Sequence, residues 1–249
     1  MLQNAEFLGP GIVVYRDVFK KELNIIDRLE NTIGKQDGLK YKWNQAYTGY
    51  DHRDLNYRDC FDFKIRVNDD NSITTNNEQV LSSMFTETEK ELASIWQDSY
   101  KVQVDPVNDY RVMFSLAPLT YWESFNYVKY GKNQHFQIHS DHGYSYTCVL
   151  SSVGYINDDY EGGELYFPQH GLEFKPKSGS AYFFPGDRHY VHGVRPIKSG
   201  NRFTSPFFWT IKKHTGEKQP PANYIGGFDN PEYKKLFNKD GVNDALFKS

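Results

Sequence analysis

The spacing of apolar positions changes once along this chain. In the first hundred residues it is three to four, in two places. Phe19, Leu23, Ile26, Leu29 and Ile33 form one set, and Val80, Met84, Leu92, Ile95 and Trp96 the other. Such spacing lines one face of a helix. It predicts a first helix with Asp17 as N-cap and Gly34 as stop, and a second over 77–100, both of the kind that covers a sheet. Before them, residues 12–15 (Ile, Val, Val, Tyr) read as a short strand. Between them, residues 35–75 are rich in Asn and Asp and weakly periodic. They read as loop with short strands, and 44–77 is a candidate flap over a site.

From about residue 110 the period is two. The pattern predicts strands at 110–115, 121–130, 136–141, 146–156, 163–167, 171–175, 180–184, 190–194 and 202–210, punctuated by Gly, Pro, Asn and Asp. Many short strands after a helical start predict a mainly β fold with N-terminal helices. The expected core is a double-stranded β-helix, or jelly roll, with helices on one outer face. No repeat or linker divides the chain. A single domain over 1–249 follows: a helical and loop part at 1–105, a core at 106–212 and a C-terminal extension at 213–249, where 231–239 predicts a short helix.

Composition narrows the picture a little. The 249 residues suffice for one substantial core. A net charge of -3 gives no support to nucleic-acid or membrane partners. The opening MLQNAEFLG has no basic leader, and no apolar run reaches the roughly 18 residues of a membrane span, so a cytoplasmic protein is expected. Two cysteines, Cys60 and Cys148, exclude a disulfide scaffold and a four-thiolate zinc site; Cys148, in an alternating apolar run, is expected as a buried thiol.

The chemistry lies in the histidines. His139 and Asp141 are two apart, so on a strand they share a face and could offer one metal a nitrogen and an oxygen. The third ligand must come from a distant strand, with His192 and His189 as candidates; His142 should point away. Two histidines and one carboxylate form the facial set of non-haem Fe(II) oxygenases, which leaves positions open for co-substrate and oxygen. Arg202 follows ten residues after His192, beyond the turn at 196–200, which would return its strand beside the histidine's. Its rigid fork suits a carboxylate, and Thr204 shares its face.

The stretches YGKNQHFQIHSD, VGYINDDYEGGELYFP, KPKSGSAYFFP and HGVRPIKSGNRF carry these residues in order. Together they resemble the catalytic domain of the prolyl 4-hydroxylase family over roughly 110–210. The resemblance implies His139, Asp141 and His192 as iron ligands, and Arg202 as the residue holding the distal carboxylate of 2-oxoglutarate. It also implies Tyr155 bonding that carboxylate, Tyr130 at the iron end of the pocket, Thr204 beside the arginine, and Gly162 and Gly163 at a tight turn. The activity implied is Fe(II)- and 2-oxoglutarate-dependent hydroxylation of peptidyl proline, with 2-oxoglutarate decarboxylated to succinate and CO2; ascorbate is admitted as a reductant. The partner implied is a peptide or protein.

One departure bears on substrate. Family members acting on peptidyl proline often carry an arginine soon after the His-x-Asp; here HGYSYTCVLSSVG has none, and Arg195 or Arg188 are the substitutes to consider. Tyr121, Trp122, Tyr144 and Tyr146 could wall a proline ring. A free amino acid, a nucleobase or another small molecule is the alternative substrate, since a shared fold does not settle it. A non-catalytic jelly-roll module would have no use for the full residue set. The retained Asp141 argues against a halogenase, and the His-x-His pair of a metal-binding cupin is missing.

Overall fold

Two antiparallel sheets stack with an aromatic layer between them, and two helices cover the outer face of the larger one. In this computed structural model, residues 1–35, 40–48, 53–68, 70–75, 78–121, 125–142 and 148–211 are described. The helix expected at 231–239 lies outside these residues, as do Trp122, Tyr144 and Tyr146. Among the described residues the larger sheet has eleven strands. Its order is Ala5–Gly9, Ile12–Tyr15, Ala181–Pro185, Leu150–Tyr155, Arg202–Ile211, Phe125–Tyr130, Phe61–Val67, Ile73–Thr75 and Glu78–Val80. Asn44–Gln45 and Leu119–Tyr121 pair at the side of this path. The smaller sheet runs Leu172–Phe174, Leu165–Phe167, His192–Val194, His135–His139, Arg58–Asp59.

Side-chain alternation separates the two faces of the larger sheet. Val13, Tyr15, Phe183, Phe207 and Trp209 point to the helices, with Leu29, Leu92, Ile95 and Trp96. Ile12, Val14, Tyr182 and Phe184 point inward and meet Leu165 and Phe167 of the smaller sheet. A strand buried on both faces reads as an unbroken apolar run, as IVVY does. Each such side chain contributes about 1.5–3 kcal/mol by leaving water.

The expected jelly roll with helices on its outer face is present, with corrections to individual elements. Asp17 does not cap a helix; it sits at φ +56°, and a 3-10 turn at Lys21–Leu23 precedes helix α1, Ile25–Thr32. Asn24, at φ +48°, separates the two and shifts the register, so Ile25 is buried where Ile26 was expected. The second helix, α2, spans Glu87–Met113. Val80 instead ends a strand, and Met84 stands exposed in a 3-10 turn. The strand expected at 110–115 is corrected as well: α2 runs through Pro106 to Met113. An interior proline removes a rung and costs about 3 kcal/mol. Val107 and Tyr110, buried beyond it in the core against the sheet, offset that loss.

The described part of residues 35–75 is more ordered than its composition predicts. Phe61–Val67 is a seven-residue strand inside the larger sheet. FDFKIRV alternates strictly, but Asn- and Asp-rich flanks dilute the signal when the region is read as one window. Arg58–Asp59 is stitched onto His135–His139 through Arg58 opposite Phe136. The described part of 44–77 is thus bound into both sheets.

At the start of α2, Thr86 and Glu89 form a reciprocal capping box. Tyr41 Oη donates to Glu89 Oε1 at 2.7 Å and Lys40 Nζ at 3.3 Å. Burial pushes the Glu89 carboxyl up, but the bonds from Thr86, Tyr41 and Lys40 outweigh it and hold it down at about 2, against an ordinary 4.5. The folded state therefore favours the carboxylate. Its contribution is complete above pH 4.5 and fades as pH falls toward about 2. Urea midpoints measured across this window should fall more steeply for the parent than for Glu89→Gln. Parallel curves would refute this role.

Candidate metal centre

Neighbouring strands of the smaller sheet set His139 directly opposite His192. Asp141 follows just past the end of His135–His139, in a bend rather than on the strand, and still turns inward. The three side chains each offer a ligand atom, all within 4.8 Å of one another, and no other such group occurs among the described residues. His139 Nε2 lies 3.6 Å from Asp141 Oδ1, and His192 Nε2 lies 3.6 Å from Asp141 Oδ2. Asp141 and His192 are buried, and His139 is half-buried.

Backbone carbonyls orient both imidazoles. His139 Nδ1 bonds Gln137 O at 2.8 Å, and His192 Nδ1 bonds Tyr190 O at 3.1 Å. A carbonyl only accepts, so each Nδ1 carries the proton and each Nε2 turns its lone pair to the shared space. That is how metal-binding imidazoles are usually held. Burial, and then the neighbouring His192, hold the His139 imidazole well below its ordinary pKa, which keeps it neutral. Phe136 stacks on His139 at 3.6 Å between centroids, and Phe184 packs edge-on to His192 at 4.6 Å.

A second feature faces the same inter-sheet space from the larger sheet, which corrects the expected placement of Arg202 on a strand beside that of His192: the turn at 196–200 passes the chain from one sheet to the other. Arg202 is 2 % exposed, and its Nη2 donates to Tyr155 Oη at 2.7 Å. Its Nε and Nη1 have no hydrogen-bond partner. The guanidinium lies 4.7 Å from the Tyr130 ring centre and 4.8 Å from that of Tyr155. Tyr130 stands opposite Arg202 in the register, and Thr204, also buried, stands opposite Tyr155. Burial raises the Tyr155 hydroxyl's pKa against the lowering effect of Arg202, so it stays protonated and can donate. A buried cation with two unanswered donors is costly unless an anion completes it. The donor set thus fits a metal ion, and the arginine fits a carboxylate.

Tight backbone turns place that arginine. Gly162 and Gly163 have φ of +74° and +66°. A Cβ on Gly162 would lie 2.4 Å from the Pro196 carbonyl oxygen, and one on Gly163 would lie 2.5 Å from Ile197 Cδ1. Only glycine lets 161–163 close on 196–199, the turn that leads into Arg202.

The remaining expectations separate clearly. His189 is exposed and bonds Asp187, and His142 is exposed with Nδ1 at Cys148 O. Cys148 is a buried thiol outside any disulfide, as expected. Arg195 does not replace the absent arginine: it pairs with exposed Glu173 at 2.8 Å and covers Tyr166 at 3.9 Å on the outer face. Arg188 sits exposed in a 3-10 turn. Two residues near the centre had no sequence signal pointing to it. Arg58 lies over the Phe136 ring at 4.9 Å, brought there by strand pairing between segments far apart in the chain. Ser151 Oγ bonds Asp141; its parity with Tyr155 puts it on the inner face, but nothing local names its partner.

A jelly roll with two histidines and one carboxylate gathered between its sheets has the architecture of a non-haem iron oxygenase. Residues 125–210 match the 2OG-Fe(II) oxygenase superfamily. A curated mimivirus protein (Acanthamoeba polyphaga mimivirus), "Putative prolyl 4-hydroxylase", is 23% identical over 155 residues. That match covers 53% of this chain and 64% of the relative. Two solved structures share the fold. One is the viral collagen prolyl hydroxylase of Paramecium Bursaria Chlorella virus-1 with 2OG, at TM-score 0.52 and 14% identity, covering 81% of this chain and 97% of that one. The other is a Trichoplax adhaerens prolyl hydroxylase in complex with a hypoxia inducible factor peptide fragment, at TM-score 0.55 and 14% identity, covering 80% and 83%. Among the described residues no helix is long and apolar enough to cross a membrane.

Proposed function

We infer that this protein is an Fe(II)- and 2-oxoglutarate-dependent dioxygenase that hydroxylates proline within a peptide or protein. The observation that carries the enzyme class is the pairing of the His139, Asp141 and His192 cluster with a buried, unanswered Arg202 in one inter-sheet space. Iron and 2-oxoglutarate, when bound, supply the oxidising power: oxygen enters a substrate C–H bond as hydroxyl, and 2-oxoglutarate leaves as succinate and CO2.

The chain's residues divide the remaining tasks. His139 and His192 present Nε2 lone pairs, and their Nδ1–H bonds hold the rings in place. Asp141 supplies the anionic ligand. Arg202 meets the distal carboxylate of 2-oxoglutarate with its two free donors, and Tyr155, already tied to Arg202, adds a hydroxyl. Thr204 lines the same end, and so does Tyr130, which was expected at the iron end but lies with its ring against Arg202. The tyrosine rings and Phe184 keep water from this region, where charged bonds are stronger.

Support for proline as target comes from what the sequence relative and the structural neighbours are named as acting on. The deciding measurement incubates iron-loaded protein with 2-oxoglutarate, oxygen and a panel of proline-rich peptides, in parallel with free proline and nucleosides. The expected product is a peptide heavier by one oxygen, mapped to a proline ring, with succinate formed in equal amount. Modification of free proline or a nucleoside alone would move the substrate to the small-molecule class. Absence of succinate under every condition would sink the enzyme reading.

A further inference from the structure

Ser151 stands outside the three-residue cluster but touches it. It belongs to Leu150–Tyr155 of the larger sheet, while both histidines belong to the smaller. Its buried hydroxyl donates to Asp141 Oδ2 at 2.5 Å, a length typical of a charge-assisted bond to a carboxylate. A hydroxyl has one proton to give. With that proton on Asp141, the 3.3 Å contact between Cys148 Sγ and Ser151 Oγ leaves the thiol as donor. Two buried groups thus point one way, Cys148 to Ser151 to Asp141. Gly186 makes room for the thiol: a Cβ there would lie 2.8 Å from Cys148 Sγ. Gly186 O also accepts from the His142 N–H at 2.7 Å, pinning the chain one residue past Asp141.

The two oxygens of Asp141 are consequently unequal. Oδ2 is engaged by Ser151, whereas no hydrogen bond reaches Oδ1 among the described residues. Oδ1 faces His139 Nε2 and Oδ2 faces His192 Nε2, each at 3.6 Å, so the Ser151 bond fixes the rotation that sets the carboxylate between the two imidazoles. We propose that Ser151 is a positioning residue whose hydroxyl, through Oδ2, fixes the orientation in which Asp141 faces both histidines and so preorganises the carboxylate for the metal. The proposal rests on the metal-centre reading above. A carboxylate freed of that bond can rotate out of this orientation, and an unanchored ligand binds a metal more weakly.

The test is Co(II) titration of the metal-free protein, followed by its visible d–d bands, for the parent, Ser151→Ala and Ser151→Thr. Loss of a partner to a metal ligand typically weakens binding roughly 10- to 100-fold. We expect that loss and an altered band for Ser151→Ala, and near-parent affinity and band for Ser151→Thr, which keeps the hydroxyl. Parent affinity and an unchanged band in Ser151→Ala overturn the proposal. Should circular dichroism show that Ser151→Ala does not fold, Ser151→Cys, close in size but a weak donor, takes its place with the same criteria. A parent that binds no Co(II) overturns the metal-centre reading and this role with it. A parent that binds normally beside an indifferent Ser151→Ala overturns this role alone.

Discussion

Replacing His192 by alanine is expected to remove metal binding and reduce 2-oxoglutarate turnover to the background of metal-free protein. The imidazole supplies one of three ligand atoms lying within 4.8 Å of one another, and nothing else of that kind lies beside them among the described residues. The change should leave the fold intact. The ring is buried against Phe184 and Phe167, so its loss costs about 1–3 kcal/mol, within the usual range for a buried substitution. The informative control is His189→Ala, three residues earlier. Its side chain is 90% exposed and bonds Asp187, so it should leave both metal affinity and turnover unchanged. Isothermal titration with Mn(II) or Co(II), together with a succinate assay, reads both variants. The assignment fails if His189→Ala loses the metal while His192→Ala keeps it.

Replacing Arg202 should produce effects of opposite sign in two measurements. Toward 2-oxoglutarate, the loss of a charge-assisted bond is worth about 1.5–3 kcal/mol. That corresponds to roughly 10- to 150-fold weaker binding. Metal affinity should survive, because Arg202 is not among the three clustered ligands. Toward stability, the expectation reverses. In the protein without co-substrate, Nε and Nη1 of a 2 % exposed guanidinium go unanswered. Arg202→Met fills a similar volume without the buried charge, so the melting temperature of that form should hold or rise. Saturating 2-oxoglutarate at a hundred times its dissociation constant should stabilise the parent by about 2.7 kcal/mol and the variant far less. Thermal melts with and without 2-oxoglutarate separate the two effects. A variant that melts well below the parent without co-substrate, yet gains as much from it, would show that Arg202 is a structural cation.

The site was more legible than the fold that carries it. His139 and Asp141 could be paired from their spacing alone, although the strand ends at His139 and Asp141 is delivered by a bend. Arg202 was legible as an inward-facing residue but not by the route expected, because the turn at 196–200 carries the chain from the smaller sheet to the larger instead of returning it beside His192. Errors gathered where tertiary contacts overrode local preference. The apolar pattern places the end of the second helix at 100, yet α2 continues through Pro106 to Met113 because Val107 and Tyr110 are buried in the core on its far side. Asn24 splits the first helical pattern at a left-handed position that apolar spacing does not register.

What the sequence determined by itself was therefore short-range: which stretches alternate, where the chain must turn, and which ligating side chains share a face. These follow from dihedral preferences and periods of two or 3.6 residues, which need only near neighbours. The tertiary structure decided the rest. It chose His192 over His189 by placing His192 opposite His139. It brought Arg58 across to Phe136, and it laid Ser151 against Asp141 from the other sheet. It also left Arg202 without a partner for two of its donors. Such encounters depend on the register and stacking of strands far apart in the chain. A shift of one residue would turn every inward side chain outward, and no local pattern specifies that register alone.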